Sequence, residues 1–183
     1  MSSVDAMDLA RIAELLRVRN GIDARIAAIT DRPMTSGHLG EWIASQIFDI
    51  DLEPSAAKAA VDGRFRSGAL AGRTVNVKWY LKREGLVDVT ESADLDYYLV
   101  LAGPPGPAVS SRGTVRPWCV TAVYLFDAER LLQQLRAAGV RIGTASSVRA
   151  AHWDAAEIWP EDRRGDGVVD ASQARQLRLL SEV

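Results

Sequence analysis

The sequence predicts a mixed α/β (α+β) chain. A central, mixed and largely antiparallel sheet of about four strands is flanked by helices. Three observations lead there. Apolar residues recur at near-helical spacing from Leu9 to Ile29. Residues 73–81 alternate strictly, and 96–102 run almost unbroken in apolar side chains, as strands do. Helical signatures then return after Asp127.

Taken in order, residues 5–30 read as a helix that carries Leu9, Ile12, Leu15, Leu16, Val18, Ile22, Ile26 and Ile29. Asn20-Gly21 is expected to break or kink it, and Asp31-Arg32-Pro33 to stop it. Thr35-Ser36-Gly37 offers a cap for a second helix over about Leu39 to Phe48, and Pro54 closes that region. Ala59 to Phe65 reads as a first strand and Arg73 to Leu81 as a second, joined by a hairpin loop at Gly68 to Gly72. In the second, Val75, Val77, Trp79 and Leu81 share one face, and Asn76, Lys78, Tyr80 and Lys82 the other. Asp96 to Ala102 is a third strand with the composition of a buried position, and Trp118 to Phe126 a fourth. The Gly- and Pro-rich segment between them is a loop. Asp127 caps a helix over Ala128 to Ala138 that Gly139 ends. Ser147 to Ile158 and Ala171 to Leu180 complete the pattern as helices.

These elements fit one domain over 1–183, with an N-terminal helical region at about 5–30, a core at about 36–140 and a C-terminal helical region at about 145–183. A chain of 183 residues buries about 70% of its unfolded surface without needing disulfides. The single cysteine, Cys119, admits no intrachain disulfide and fits a reducing, cytoplasmic setting. No secretory leader and no membrane-length apolar run is expected. The net charge of −2 gives no global attraction to nucleic acid, but its distribution is uneven. Between Asp62 and Glu84 lie Arg64, Arg66, Arg73, Lys78, Lys82 and Arg83 with no acid among them. A basic stripe on an acidic protein suits a polyanionic partner; the alternative is a solvated strand face.

The candidate chemistry centres on Asp62 and Lys78. Asp62 precedes Gly63 on the first strand, Asn76-Val77-Lys78 lies on the next, and Glu41 sits near the start of the second helix. If the strands pair, the polar faces adjoin and Glu41 can approach from the side. Phosphodiester cleavage calls for such a set. A divalent metal offsets charge on the phosphate and lowers the pKa of the attacking water. Magnesium takes hard oxygen ligands, commonly one or two carboxylates plus waters. A fixed ammonium stabilises the pentavalent state.

A helical Glu41, a strand Asp62 and Asn76-Val77-Lys78 resemble the PD-(D/E)XK, restriction-endonuclease-like superfamily, in which a helical Glu, a strand Asp and a (D/E)-x-K tripeptide build a magnesium site. Gly37-His38-Leu39-Gly40-Glu41-Trp42-Ile43-Ala44 together with Asn76-Val77-Lys78-Trp79-Tyr80 is also similar to an uncharacterised family of bacterial hypothetical proteins. The superfamily resemblance implies a magnesium- or manganese-dependent nuclease. Asp62, Glu41 and Asn76 would hold metal, Lys78 would act on water or phosphate, and Arg64, Arg66, Tyr80 and Lys82 would contact nucleic acid, most readily DNA. One position departs from the pattern. Asn76 stands where the superfamily has an acid, and its carbonyl brings no charge to the metal.

The other readings of the same residues are an inactive nuclease-like module that binds nucleic acid or protein, and an interaction protein whose N-terminal helix dimerises. His38, three residues before Glu41, offers an acid/base group or a polar residue near a cap. Arg112 and Arg116, beside the Pro-rich loop, are further phosphate contacts. Cys119, His38 and His152 are too scattered for zinc, and Cys119 is expected to be buried as a small hydrophobe. Trp79, Trp153 and Trp159 are expected to pack in the core or at its edge.

Overall fold

The computed structural model describes residues 3–54, 60–106 and 116–182, with side chains from Met7 onward. It is an α+β fold built on one six-stranded mixed sheet.

Helix α1 (Ser3–Thr30) is continuous through Asn20-Gly21. No break occurs at Asn20-Gly21, because one glycine in a long helix costs only about 1 kcal/mol. Asp31, in the left-handed conformation at φ 53°, ends it. Helix α2 (Ser36–Phe48) begins at the expected cap: the Thr35 hydroxyl accepts from His38 N at 3.2 Å.

Strands β1 (Ile50–Leu52), β2 (Gly63–Phe65) and β3 (Thr74–Tyr80) form an antiparallel meander. The chain then crosses over. Strand β4 (Leu86–Val87) pairs away from the main sheet with β7 (Ser146–Ser147). Strand β5 (Tyr97–Ala102) lies parallel to β3, the sheet's one parallel pair. Strands β6 (Ala122–Asp127) and β8 (Glu157–Trp159) add on antiparallel, giving the order β1-β2-β3-β5-β6-β8. Helices α3 (Ala128–Ala137), α4 (Ala150–Ala156) and α5 (Ala171–Ser181) complete the chain.

The class is as expected, but the sheet has six strands rather than about four. Two were missed for one reason: β1 and β8 are three residues long, too short for alternation to register. The helix expected over Ser147 to Ile158 is therefore corrected to 150–156, followed by a strand in which Glu157, Ile158 and Trp159 are all buried. The first strand is shorter than Ala59 to Phe65. Ala60 takes a left-handed conformation at φ 72°, which bends the chain ahead of Asp62, and Ala59 lies outside the described residues. The fourth starts at Ala122, not Trp118.

The sheet separates two apolar layers. On one face α2 and α5 cover Val75, Val77 and Trp79 of β3 and Leu99 and Leu101 of β5. On the other, α3 and α4 cover Tyr98, Val100, Tyr124 and Phe126. Strand β5 is closed off on both faces, with residues 98–102 at most 1% exposed, as its continuous apolar run predicts. Helix α1 differs from every other element. Thr30 at its end is buried, but its large apolar side chains from Met7 to Ile29 are mostly half exposed or more.

Candidate metal-dependent active site

Two local features place the site. The first is Gly40, which lets α2 lie close against β3: a Cβ there would stand 2.9 Å from the Trp79 Cβ. That approach sets the adjacent Glu41 beside the open edge of β3. The second is the divergence of β2 from β3. Asp62 N still donates to Val75 O at 2.9 Å, but no strand partner follows for the next amide, Val77 N. Asp62 takes over: its Oδ2 accepts from Val77 N at 2.7 Å. The carboxylate is thereby fixed at the strand edge by the backbone it caps.

Gly63 holds this geometry from the other side. A Cβ on it would meet Asp51 O at 2.6 Å and Ile50 Cγ2 at 2.7 Å. Gly63→Ala must push β1 away from β2, so a loss of about 1–3 kcal/mol is expected, as for other overpacked sites. A urea midpoint that does not move would contradict the close β1–β2 packing.

Glu41, Asp62, His38, Arg32 and Glu53 line one open cleft of about 430 Å³. Burial, and then the nearby Asp62 charge, raise the Glu41 carboxyl above its ordinary pKa, although Arg32, His38 and Lys78 all pull it down. Burial likewise raises Asp62, against the pull of the Val77 amide and Lys78. The Lys78 ammonium acts on both carboxylates through space, and it makes no hydrogen bond or ion pair with another described residue. Asn76 is 5% exposed. Its Nδ2 donates to Ala60 O at 3.0 Å, which fixes the amide orientation and leaves Oδ1 enclosed without a partner among the described residues. An enclosed acceptor with nothing to accept from calls for an explanation, such as a water or an ion.

Both carboxyls titrate with a stability consequence. A carboxyl whose folded pKa lies above its unfolded value binds its proton more tightly when folded. Its contribution to stability is present below the unfolded pKa and is lost as pH rises through the folded one. In metal-free buffer, Glu41→Gln is therefore expected to raise the melting temperature near neutral pH. The gain should shrink towards about pH 4, within the ordinary carboxylate range. An equal effect at both ends of a melting series would show that the charge is not the cause.

Of the four residues singled out for catalysis, Glu41 and Asp62 line one cleft and Lys78 acts on both through space, while Asn76 is buried with its amide on Ala60 O and does not line that cleft. The structure does not gather the expected nucleic-acid contacts around them. Arg66 pairs with Asp49 at the far, C-terminal end of α2. Arg64 is exposed and donates to Gly72 O in its own hairpin. Tyr80 OH accepts from Asp88 N at 2.8 Å, and burial raises its pKa, so its ring and hydroxyl serve the fold. Lys82 pairs with Glu84 at 3.2 Å, and both line a second cleft with Tyr80. Arg116 reaches the same Glu84 at 2.9 Å, and Arg112 lies outside the described residues. Arg73 pairs with Asp96, and Arg83 stacks over Tyr124 and Trp153. The basic stripe is a sequence neighbourhood that the fold disperses.

Two residues of the cleft were missed. Arg32, read only as part of a helix stop, makes a 2.9 Å ion pair with Glu41. Glu53 enters because its amide donates to Asp62 O, a pairing that depends on the unrecognised β1. No local pattern marks either one. His38 stands in the cleft beside Glu41, with Nδ1 3.3 Å from Pro33 O. His152 lines a different cleft and Cys119 is buried, so the scattered zinc candidates stay scattered.

No family model and no curated protein matches this chain.

Among the described residues no group of three or more His, Cys, Asp or Glu side chains is placed to share an ion. Magnesium commonly uses only one or two carboxylates and keeps waters for the rest. Glu41 and Asp62, which line one cleft, supply that number of carboxylates. Among the described residues, no helix is long and apolar enough to cross a membrane.

Proposed function

We propose that this protein is a metal-dependent phosphodiesterase of the nuclease type, related to the PD-(D/E)XK superfamily. The observation that supports this reading is one cleft lined by both Glu41 and Asp62, with the Lys78 ammonium acting on both carboxylates through space and in no ion pair with a described residue. Like charges are kept this close at a cost, and such arrangements cluster at functional sites.

In this reading Glu41 and Asp62 would hold a magnesium or manganese ion, and Asn76 Oδ1 would be a neutral candidate ligand. The ion supplies Lewis acidity and a water of lowered pKa. Asp62 keeps its place because Val77 N anchors the second lobe of its charge. Lys78 neutralises charge that builds on the phosphate oxygens and orients the attacking water. Water adds across a P–O bond: one product leaves with the phosphate and the other with a hydroxyl. Arg32 holds Glu41 by its ion pair when no metal competes.

A second reading has its own support. Asn76 brings no charge, and its amide is committed to Ala60 O, so the same site would bind without cutting. The experiment that separates the two is cleavage of labelled single- and double-stranded DNA and RNA with magnesium, manganese or EDTA. Metal-dependent cutting supports the enzyme. Salt-sensitive binding that ignores EDTA, with no cutting, supports the binding module and overturns the enzyme.

A further inference from the structure

Helix α1 presents the most unusual surface of the molecule. Eight large apolar side chains between Met7 and Ile29 are 49–74% exposed, whereas Thr30 at the end of the helix is buried. A lone helix gains little from propensity, since most helical stability in proteins comes from packing. Such a face needs a partner.

The sequence of α1 says which one. Ile12, Leu15, Arg19, Ile22, Ile26 and Ile29 follow one another at spacings of three and four, the heptad seam of a coiled coil. Read from either end, the spacing is the same, so the seam is complementary to itself when reversed. Arg19 decides the direction. A parallel pair would stack Arg19 on Arg19 in the middle of the seam, like charge against like. An antiparallel pair places Arg19 against Ile22 of the other copy, beside that copy's Asp23. Within one helix Arg19 already lies 3.5 Å from Asp23, so the guanidinium has the reach. The layers are then Ile12 on Ile29, Leu15 on Ile26 and Arg19 on Ile22. Six of the eight lie in the paired span: Ile12, Leu15, Ile22 and Ile29 on the seam, with Leu16 and Val18 flanking it. At roughly 100 Å² for each they give on the order of 600 Å², the lower end of the share one partner contributes to a stable interface.

We infer that α1 is the dimerisation element of this protein and pairs antiparallel with α1 of a second copy. The pairing is independent of the chemistry proposed for the cleft. Sedimentation equilibrium on the full chain is expected to give twice the 19.9 kDa monomer mass. Leu15→Glu with Ile22→Glu should return the monomer mass. All five tryptophans lie outside α1, so unchanged tryptophan fluorescence in that variant shows that the body is still folded. Mixing Leu15→Cys protein with Ile26→Cys protein should give the mixed disulfide far above either homodisulfide, and the native Cys119 is buried. A monomeric wild type overturns the inference, and so does a variant that remains dimeric. Homodisulfides in excess overturn the antiparallel direction. A monomer whose helix associates with lipid vesicles assigns the face to a membrane surface instead.

Discussion

Asp62→Asn and Lys78→Ala are each expected to lower metal-dependent phosphodiester cleavage by about 10²–10³-fold, the range seen when one preorganised electrostatic group is lost. The choice of asparagine matters. Asp62 has two tasks: its charge faces Glu41 and Lys78, and its Oδ2 accepts from Val77 N. Alanine removes both and leaves a partly buried amide unbonded, at about 1–3 kcal/mol. An inactive Asp62→Ala protein would therefore say little about chemistry. Asparagine keeps an oxygen for Val77 N and removes only the charge. Lys78 makes no ion pair with a described residue, so Lys78→Ala breaks no direct contact and removes only its through-space pull on the two carboxylates. Both variants should melt within a few degrees of the wild type. Steady-state cleavage by the two purified variants decides the matter: if both still cut at the wild-type rate, the assignment of the site is wrong.

Trp153→Ala is expected to be the most damaging single change to the fold, at about 3–5 kcal/mol. Trp153 is 1% exposed on α4. Its ring meets Tyr124 edge-on at 4.8 Å and Phe126 at 5.1 Å, and the Arg83 guanidinium lies 5.6 Å from its centroid. Alanine leaves a large void between α4 and β6 and removes an aromatic surface that Arg83 covers. Trp153→Phe should cost much less. The indole Nε1 has no hydrogen-bond partner among the described residues, so phenylalanine removes an unsatisfied donor along with the lost volume. Urea unfolding followed by far-UV circular dichroism measures both. A loss below about 0.5 kcal/mol for Trp153→Ala, the scale of an ordinary surface change, would show that this aromatic cluster does not hold the second layer.

Much of this architecture was legible along the chain. The Thr35 and Asp127 caps, the alternation in β3 and the closed apolar run of β5 are each signalled within a few residues by local hydrogen bonding or by a two-residue period. Part of the candidate site was legible through side-chain chemistry: Glu41 and Asp62 were singled out and line one cleft, whereas Asn76 and Lys78 do not line it. The misses also have physical causes. β1 and β8 are too short to carry a period and exist because a longer neighbour offers them an edge. The switch from α4 to β8 at Glu157 follows pairing with Tyr124, a partner more than thirty residues away.

The sequence by itself determined the fold class, the Thr35 and Asp127 helix caps and the buried central strand, because each is written in local propensity and periodicity. Only the tertiary structure decided how charge is shared among the candidate side chains. Arg66, Arg73 and Lys82 read as one basic stripe, yet they pair with Asp49, Asp96 and Glu84, and none of these three lines the cleft of Glu41 and Asp62. Arg32, which nothing along the chain marked, became the partner of Glu41. Ion pairs form between groups that the sheet and helices bring within a few ångströms, and strand order and crossover set those distances; spacing in sequence does not.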